Sequence, residues 1–256
     1  MIPIKTDDEI RLMREACQAA ATVLHRVCEA VKPGVSTFEL DQLGKVIMDE
    51  IGCESACHNY RVGSKRFPGY TCLSVNEEIV HGIGDMNRIL KDGDCITVDI
   101  VTRYKGFIGD NARSIIVGGK SSPEVEKLVK ATEDALMYAL NYAKPGKRIG
   151  DISNAVQRYV NKFSFGIVKD FVGHGVGRSM HEDPQIPNYG DKRSGPKIRP
   201  GMTLAIEPMV TLKSPETKIL EDGWTAVTKD KSCAAHFEHT VLIGVHGAEI
   251  LTIPKI

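Results

Sequence analysis

Five polar side chains stand in surroundings too apolar for ordinary surface residues. Asp99 lies within Ile96-Thr97-Val98-Asp99-Ile100-Val101, and Asp110 follows it beyond a glycine-containing return. Glu207 interrupts Leu204-Ala205-Ile206-Glu207-Pro208-Met209-Val210, and Glu238 sits in Phe237-Glu238-His239-Thr240-Val241. His174 is enclosed by glycines in Gly173-His174-Gly175-Val176-Gly177, which leaves its imidazole with little side-chain cover. An acid in an apolar strand is expensive to bury without a partner. Two carboxylates held together repel unless they share a proton or a cation. Singly, each acid reads equally well as a solvated strand residue, with Asp99 on an edge strand. The glycine-rich run reads equally as part of a nucleotide loop, but the dinucleotide and phosphate-loop patterns are both absent from it. Collectively, two Asp, two Glu and one His form an oxygen-rich donor set with one imidazole. That set suits a pair of Co, Mn, Fe or Zn ions better than a thiolate-type structural zinc. Carboxylates shared between two cations about 3.5–4 Å apart are one recognised way to activate water.

The elements that must position these residues are legible from periodicity and caps. Thr6-Asp7-Asp8-Glu9 forms a capping-box pattern ahead of an apolar stripe from Ile10 to Val31, which Lys32-Pro33-Gly34 ends,. Ser36-Thr37-Phe38-Glu39 repeats the pattern for a helix carrying Leu40, Leu43, Val46, Ile47 and Ile51, with Gly52 after it. Strands are expected at Tyr70–Val75, Cys95–Val101 and Ala112–Val117, and a hairpin joining the last two would set Asp99 beside Asp110,. Ser122-Pro123-Glu124 opens a third helix, Lys144-Pro145-Gly146 closes it, and Ile149–Val160 reads as a fourth,. Met202–Ile206 and Thr240–Gly244 are further strand candidates. Helix, Lys-Pro-Gly, helix thus occurs twice, the mark of a duplicated unit or simply of a good helix stop. No flexible linker divides the chain. The expectation is one catalytic domain over residues 1–256 with related halves at about 1–119 and 120–256.

Composition narrows the classes. The chain has 256 residues, 42% hydrophobic and 26% charged, ordinary globular values,. Lys plus Arg and Asp plus Glu number 33 each, which argues against a general polyanion binder,. No apolar run is long enough to span a bilayer and the start lacks a secretory signal, so a cytoplasmic protein is expected. Seven scattered cysteines without a CxxC pair read as reduced, mostly buried thiols,.

Across nearly its whole length the chain resembles the type I methionine aminopeptidases, the short form of peptidase family M24. The matching stretches include Ser74–Gly82, Val98-Asp99-Ile100, Gly106–Asp110 and Gly173–Gly177. They continue through His181-Glu182-Asp183-Pro184, Gly201-Met202-Thr203, Ile206–Met209, Asp222-Gly223-Trp224, Thr228-Lys229-Asp230 and Glu238-His239-Thr240. The resemblance implies an α+β pita-bread fold, two pseudo-symmetric halves around a central antiparallel sheet. It also implies two divalent metal ions, with Asp99 chelating one, His174 and Glu207 holding the other, and Asp110 and Glu238 bridging. His81 and His181 would lie outside the ligand set, beside the substrate. The reaction implied is removal of the initiator methionine from nascent chains, favoured by a small second residue. Glu207 would act as general base and proton donor, His181 would donate to the oxyanion, and His81 would assist at the amide nitrogen. Asp99 would also meet the free α-amine. Cys57, Tyr60, Phe67, Cys72, Met180 and Trp224 would line the methionine pocket.

The chain departs from the family pattern in four places. Arg61-Val62-Gly63-Ser64-Lys65-Arg66 is longer than the usual link, and this basic cluster reads as a solvated loop or as a guide for acidic surfaces or ribosomal RNA. Met180 precedes His181 where Phe is frequent, Asn111 follows Asp110 where Thr or Ser is common, and Ile108 replaces a usual His. The expected partners are N-termini of nascent polypeptides, with transient ribosome contact, no membrane, no specific nucleic acid and a monomeric state. The rival readings are an Xaa-Pro aminopeptidase of the same fold and a non-catalytic ribosome- or nucleic-acid-binding protein, which would be expected to have lost ligands.

Overall fold

The computed structural model describes residues 2–255. Helix α1 (Asp7–Glu29) starts at Thr6, whose hydroxyl accepts from the Glu9 backbone while Glu9 answers to the Thr6 backbone,. Helix α2 (Thr37–Ile51) is capped the same way by Ser36 and Glu39, and Gly52 ends it in the left-handed conformation that glycine adopts freely,. Helices α3 (Pro123–Leu140) and α4 (Ile149–Val160) repeat the arrangement. Ser122 caps α3, with Pro123 at a position where a missing N–H leaves no bond unmade,.

The helices cover one face of a curved antiparallel sheet. Its strands are β1 (Glu54–Ser55), β2 (Cys72–Val75), β3 (Cys95–Tyr104), β4 (Phe107–Ile116), β5 (Gly173–Gly175), β6 (Glu182–Ile186), β7 (Thr203–Ile206), β8 (Glu238–Ile243) and β9 (Ala248–Ile250). The order is β1-β3-β4-β8-β7-β5-β6, with β2 also paired to β3 and β9 to β8. A strand of the first half, β4, therefore lies against one of the second, β8. Two apolar cores flank that seam. One joins α1 and α2 to Val98 and Ile100, and the other joins α3 and α4 to Leu204, Ile206, Val241 and Ile243.

The β3–β4 hairpin is longer than the sequence suggests on both sides of its turn. It runs without a break from Cys95 to Tyr104 and from Phe107 to Ile116. Gly109 makes this possible because α1 presses on β4 there, and a Cβ would collide with the Ala16 carbonyl,. Several expected strands shift instead. The first narrows to Cys72–Val75, the Met202–Ile206 candidate begins at Thr203, and the last covers Glu238–Ile243 rather than Thr240–Gly244. The long 61–66 link folds as an exposed two-stranded ribbon, with Arg61 opposite Arg66 and Val62 opposite Lys65. Among the described residues, no helix is long and apolar enough to cross a membrane.

Ser36 is 4% exposed, so its capping hydroxyl has little water to replace the lost bond if removed. Ser36→Ala is expected to lower unfolding stability by about 1 kcal/mol, read by urea titration. An unchanged midpoint and slope would show that the cap contributes nothing.

Candidate metal centre

Strand register brings the acids of β3 and β4 together on the concave face. Asp99 pairs with Ala112 and Val101 with Asp110, so the two carboxylates are diagonal neighbours rather than directly opposed,. β3 is an inner strand with neighbours on both sides, so Asp99 is no edge acid. Opposite β4, the seam supplies Glu238 at the start of β8. β7 ends at Ile206 and delivers Glu207, whose carbonyl is held by the Asn188 side chain at 2.9 Å. β5 contributes His174 from the middle of its three residues.

The glycines around His174 serve a different purpose from the open backbone expected. A Cβ at Gly175 would collide with the Asp183 carbonyl, and one at Gly173 would meet the Ala205 carbonyl at 2.5 Å. They let β5 approach both neighbouring strands closely, and His174 is itself buried. Its Nδ1 donates to the Gly175 carbonyl at 2.9 Å, which fixes the tautomer and turns Nε2 toward the acids,. Nε2 stands 3.3 Å from Glu207 Oε1 and 3.8 Å from Asp110 Oδ2. Donor atoms of Asp110, His174 and Glu238 all fall within 4.8 Å of one another.

Burial dominates the electrostatics. It pushes the Asp110 carboxyl up to about 7, opposed by its hydrogen bond with Glu238. Burial, followed by repulsion from Asp110, raises Asp99, Glu207 and Glu238 well above the carboxylate range. The same burial moves His174 down to about 4 and keeps its imidazole neutral, the form that ligates,. Asp99 Oδ1 and Glu238 Oε1 are buried without any hydrogen-bond partner. No lysine or arginine lines the cavity. Acids packed this way, with orphaned oxygens and no cationic side chain, fit a bound divalent metal.

The ligand set opens onto a cavity of about 340 Å³. Cys57, Tyr60, Phe67, Cys72, Met180 and Trp224 all line it, as do His81 and His181. Phe67 meets the Trp224 ring edge-on at 5.4 Å between centroids, forming a stiff apolar wall,. Cys72 shares a hydrogen bond with Cys57, which together with burial keeps the Cys72 thiol well above its usual range. His181 stands edge-on to His174 at 4.6 Å, and its Nδ1 is 3.1 Å from the Tyr60 hydroxyl. His81 occupies left-handed backbone at φ 60°, a strained position for a residue with a side chain, and burial draws it down to about 4,.

His236 is the residue the sequence reading passed over. It is 2% exposed, lines the cavity, has both ring nitrogens unpartnered and places Nε2 3.8 Å from Glu207 Oε2. Its two-residue spacing from Glu238 was the available signal, since alternate residues of extended chain share a face. Phe171 was likewise missed; its ring packs edge-on against His81 at 5.5 Å.

Residues 11–244 match metallopeptidase family M24. The chain is 46% identical over 252 residues to methionine aminopeptidase 1 of Bacillus subtilis, covering 98% of this chain and 99% of that one. It is 41% identical to the methionine aminopeptidase of Escherichia coli K12, covering 99% and 95%. The crystal structure of a methionine aminopeptidase from Thermotoga maritima superposes with a TM-score of 0.94 at 44% identity, covering 98% of this chain and 99% of that one. A prolidase from Pyrococcus furiosus shares the fold, with a TM-score of 0.78 at 23% identity over 99% of this chain and 66% of that one.

The buried acids and imidazoles act oppositely on stability. Histidines lowered from 6.5 to about 4 or below are neutral in the folded chain, while the unfolded chain is still releasing their protons around pH 6.5, so they favour folding as pH rises and their contribution fades above about pH 7,. The raised acids still hold protons in the folded chain and have lost them in the unfolded one,. Metal-free protein is therefore expected to melt at lower temperature as pH rises from about 7 to about 8, where the acids outweigh the fading histidine contribution, and added divalent ion should suppress the fall. A metal-free melting temperature that holds level or climbs over that window would refute the assignment.

Proposed function

The chain belongs to the methionine aminopeptidases of metallopeptidase family M24, and we propose that its cavity removes the initiator methionine from proteins whose second residue is small. The observation that carries this reading is the convergence on one cavity of four carboxylates, Asp110 and Glu238 buried and Asp99 and Glu207 half-buried, with a neutral imidazole. Two divalent ions would balance the four carboxylates when these are ionised. Asp99, Asp110, His174, Glu207 and Glu238 would hold these ions. Co, Mn, Fe and Zn all suit such donors. When bound, the metals lower the pKa of a water and polarise the scissile carbonyl.

The remaining steps belong to this chain's side chains. Glu207 takes the proton from the attacking water and returns it to the departing amine. His181 donates from Nε2 to the developing oxyanion. That requires Nδ1 to accept, and the Tyr60 hydroxyl stands within reach to donate to it,. Burial lowers the pKa of His181, which favours the neutral ring this relay needs. His81, neutral for the same reason, assists at the amide nitrogen, and Asp99 meets the substrate's α-amine. The methionine side chain fills the space between Cys57, Tyr60, Phe67, Cys72, Met180 and Trp224, whose rigid aromatic pair favours an unbranched apolar chain,.

The whole chain serves as one catalytic domain, its halves at about 1–119 and 120–256, since ligands come from both. The protein acts in the cytoplasm as a monomer on nascent N-termini, with transient ribosome contact. Its seven free thiols agree with a reducing compartment,.

Apo-protein reloaded with Co, Mn, Fe or Zn is expected to cleave Met-Ala-Ser and leave Xaa-Pro peptides largely intact. Preference for the Xaa-Pro set would transfer the protein to the rival peptidase activity, and inactivity with every metal would favour a binding protein. Glu207→Gln should reduce kcat by at least about 10²-fold in protein shown to retain its metal. His181→Ala should cost about 10²–10³-fold in kcat with a smaller change in KM. Near-normal turnover by either metallated variant removes that residue from its role.

A further inference from the structure

The face of the sheet turned away from the acids carries a second cavity of about 190 Å³, set between α1 and α3. Alternation along the strands puts it there. Asn111 follows Asp110 on β4, His239 follows Glu238 on β8, and Asn111 and His239 are direct cross-strand partners,. At about 30 Å³ per water molecule the space is worth roughly six waters, room for a small metabolite rather than a peptide.

The lining asks for a specific kind of occupant. Asn111 is fully buried, yet among the described residues neither its amide nitrogen nor its oxygen has a partner, an arrangement that proteins rarely leave unfilled. Half-buried His239 commits Nδ1 to the Thr252 hydroxyl at 2.9 Å, and no hydrogen bond from its Nε2 is found among the described residues. Arg113 and Glu133 both line the cavity with opposite charge, Arg113 at its solvent-exposed mouth and Glu133 half-buried, and among the described residues neither side chain has a hydrogen bond or an ion pair. Lys130, one turn earlier on α3, feels the Glu133 charge, and Arg113 lies near enough to influence Cys28 and His239. Leu24, Leu136 and Phe237 supply apolar wall.

A cation and an anion without ion-pair partners among the described residues, an amide offering both donor and acceptor, and an apolar wall together describe a zwitterion with a hydrocarbon tail. We infer that this groove is a second, non-catalytic binding site for a free α-amino acid with an apolar side chain. Its carboxylate meets Arg113 and its ammonium meets Glu133. Asn111 and His239 complete the hydrogen bonds of the head group, and the side chain lies between Leu24, Leu136 and Phe237. The amino acid released by the proposed reaction falls in this class, but binding here does not depend on catalysis. The inference therefore stands or falls separately from the proposed function.

Methionine methyl groups report on the two cavities independently, because Met137 lines the rear one and Met180 the catalytic one. Zinc-loaded full-length protein carrying ¹³C-methyl methionine would be titrated with L-leucine, with Met137→Leu identifying the Met137 signal. The Met137 resonance is expected to shift saturably. Arg113→Gln and Glu133→Gln should each weaken that titration by at least about tenfold, the loss of one charge-assisted contact. N-acetyl-L-leucine and L-leucinamide, each lacking one of the two charges, should bind comparably weakly. A Met137 signal indifferent to L-leucine overturns the inference, and so does undiminished binding by both analogues or both variants.

Discussion

Everything about this fold answers to one electrostatic constraint: four carboxylates are gathered in one cavity with no lysine or arginine among the described residues to balance them. Left ionised and unliganded, such a cluster opposes folding, because each acid loses its water and gains like-charged neighbours. The two apolar cores beneath the helix pairs must outweigh that penalty, and a metal removes it. The close strand approach permitted by Gly173 and Gly175, and the helix contact permitted by Gly109, hold the acids where they would not settle by themselves. The tautomer of His174 is set by its own neighbouring carbonyl before any ligand arrives. Preorganisation of this kind lets the site bind a metal without first rearranging.

Local signals were readable wherever the physics is local. Both capping boxes, the proline opening α3 and the bounds of α4 follow from residues a few positions apart, and all are found as expected. The unusual setting of the acids was equally plain, because burying charge is costly anywhere in a fold. What lay beyond reach were properties of pairing. Asp99 and Asp110 are diagonal rather than opposed because the hairpin extends through Tyr104 and Phe107, and register depends on where a turn falls,. The glycines flanking His174 looked like exposure and proved to be tight packing, since the strands that crowd them come from distant sequence. His236 escaped notice because its burial depends on neighbours contributed by other segments.

Alternation makes the sheet a partition with two wet sides. Asp110 and Glu238 face the metal cavity, while the residues bonded to them, Asn111 and His239, face the helices. The departures from the family's residues at Ile108 and Asn111 both fall on this strand, β4. Ile108 is fully buried in apolar company, whereas Asn111 is fully buried with nothing to bond. A change beside Asp110 thus alters the rear chamber and leaves the four acids and His174 in place.

The seam between β4 and β8 also has a meaning for how such a protein comes into being. Two of the acids precede the middle of the chain, and the remaining donors are delivered only when Glu238 is synthesised and β8 docks on β4. Pairings of such long sequence separation are slow to form, because the entropy of closing the intervening chain is lost first. A half-made copy emerging from the ribosome therefore cannot assemble a hydrolytic centre. A protein that cuts newly made chains is, during its own birth, inert toward them.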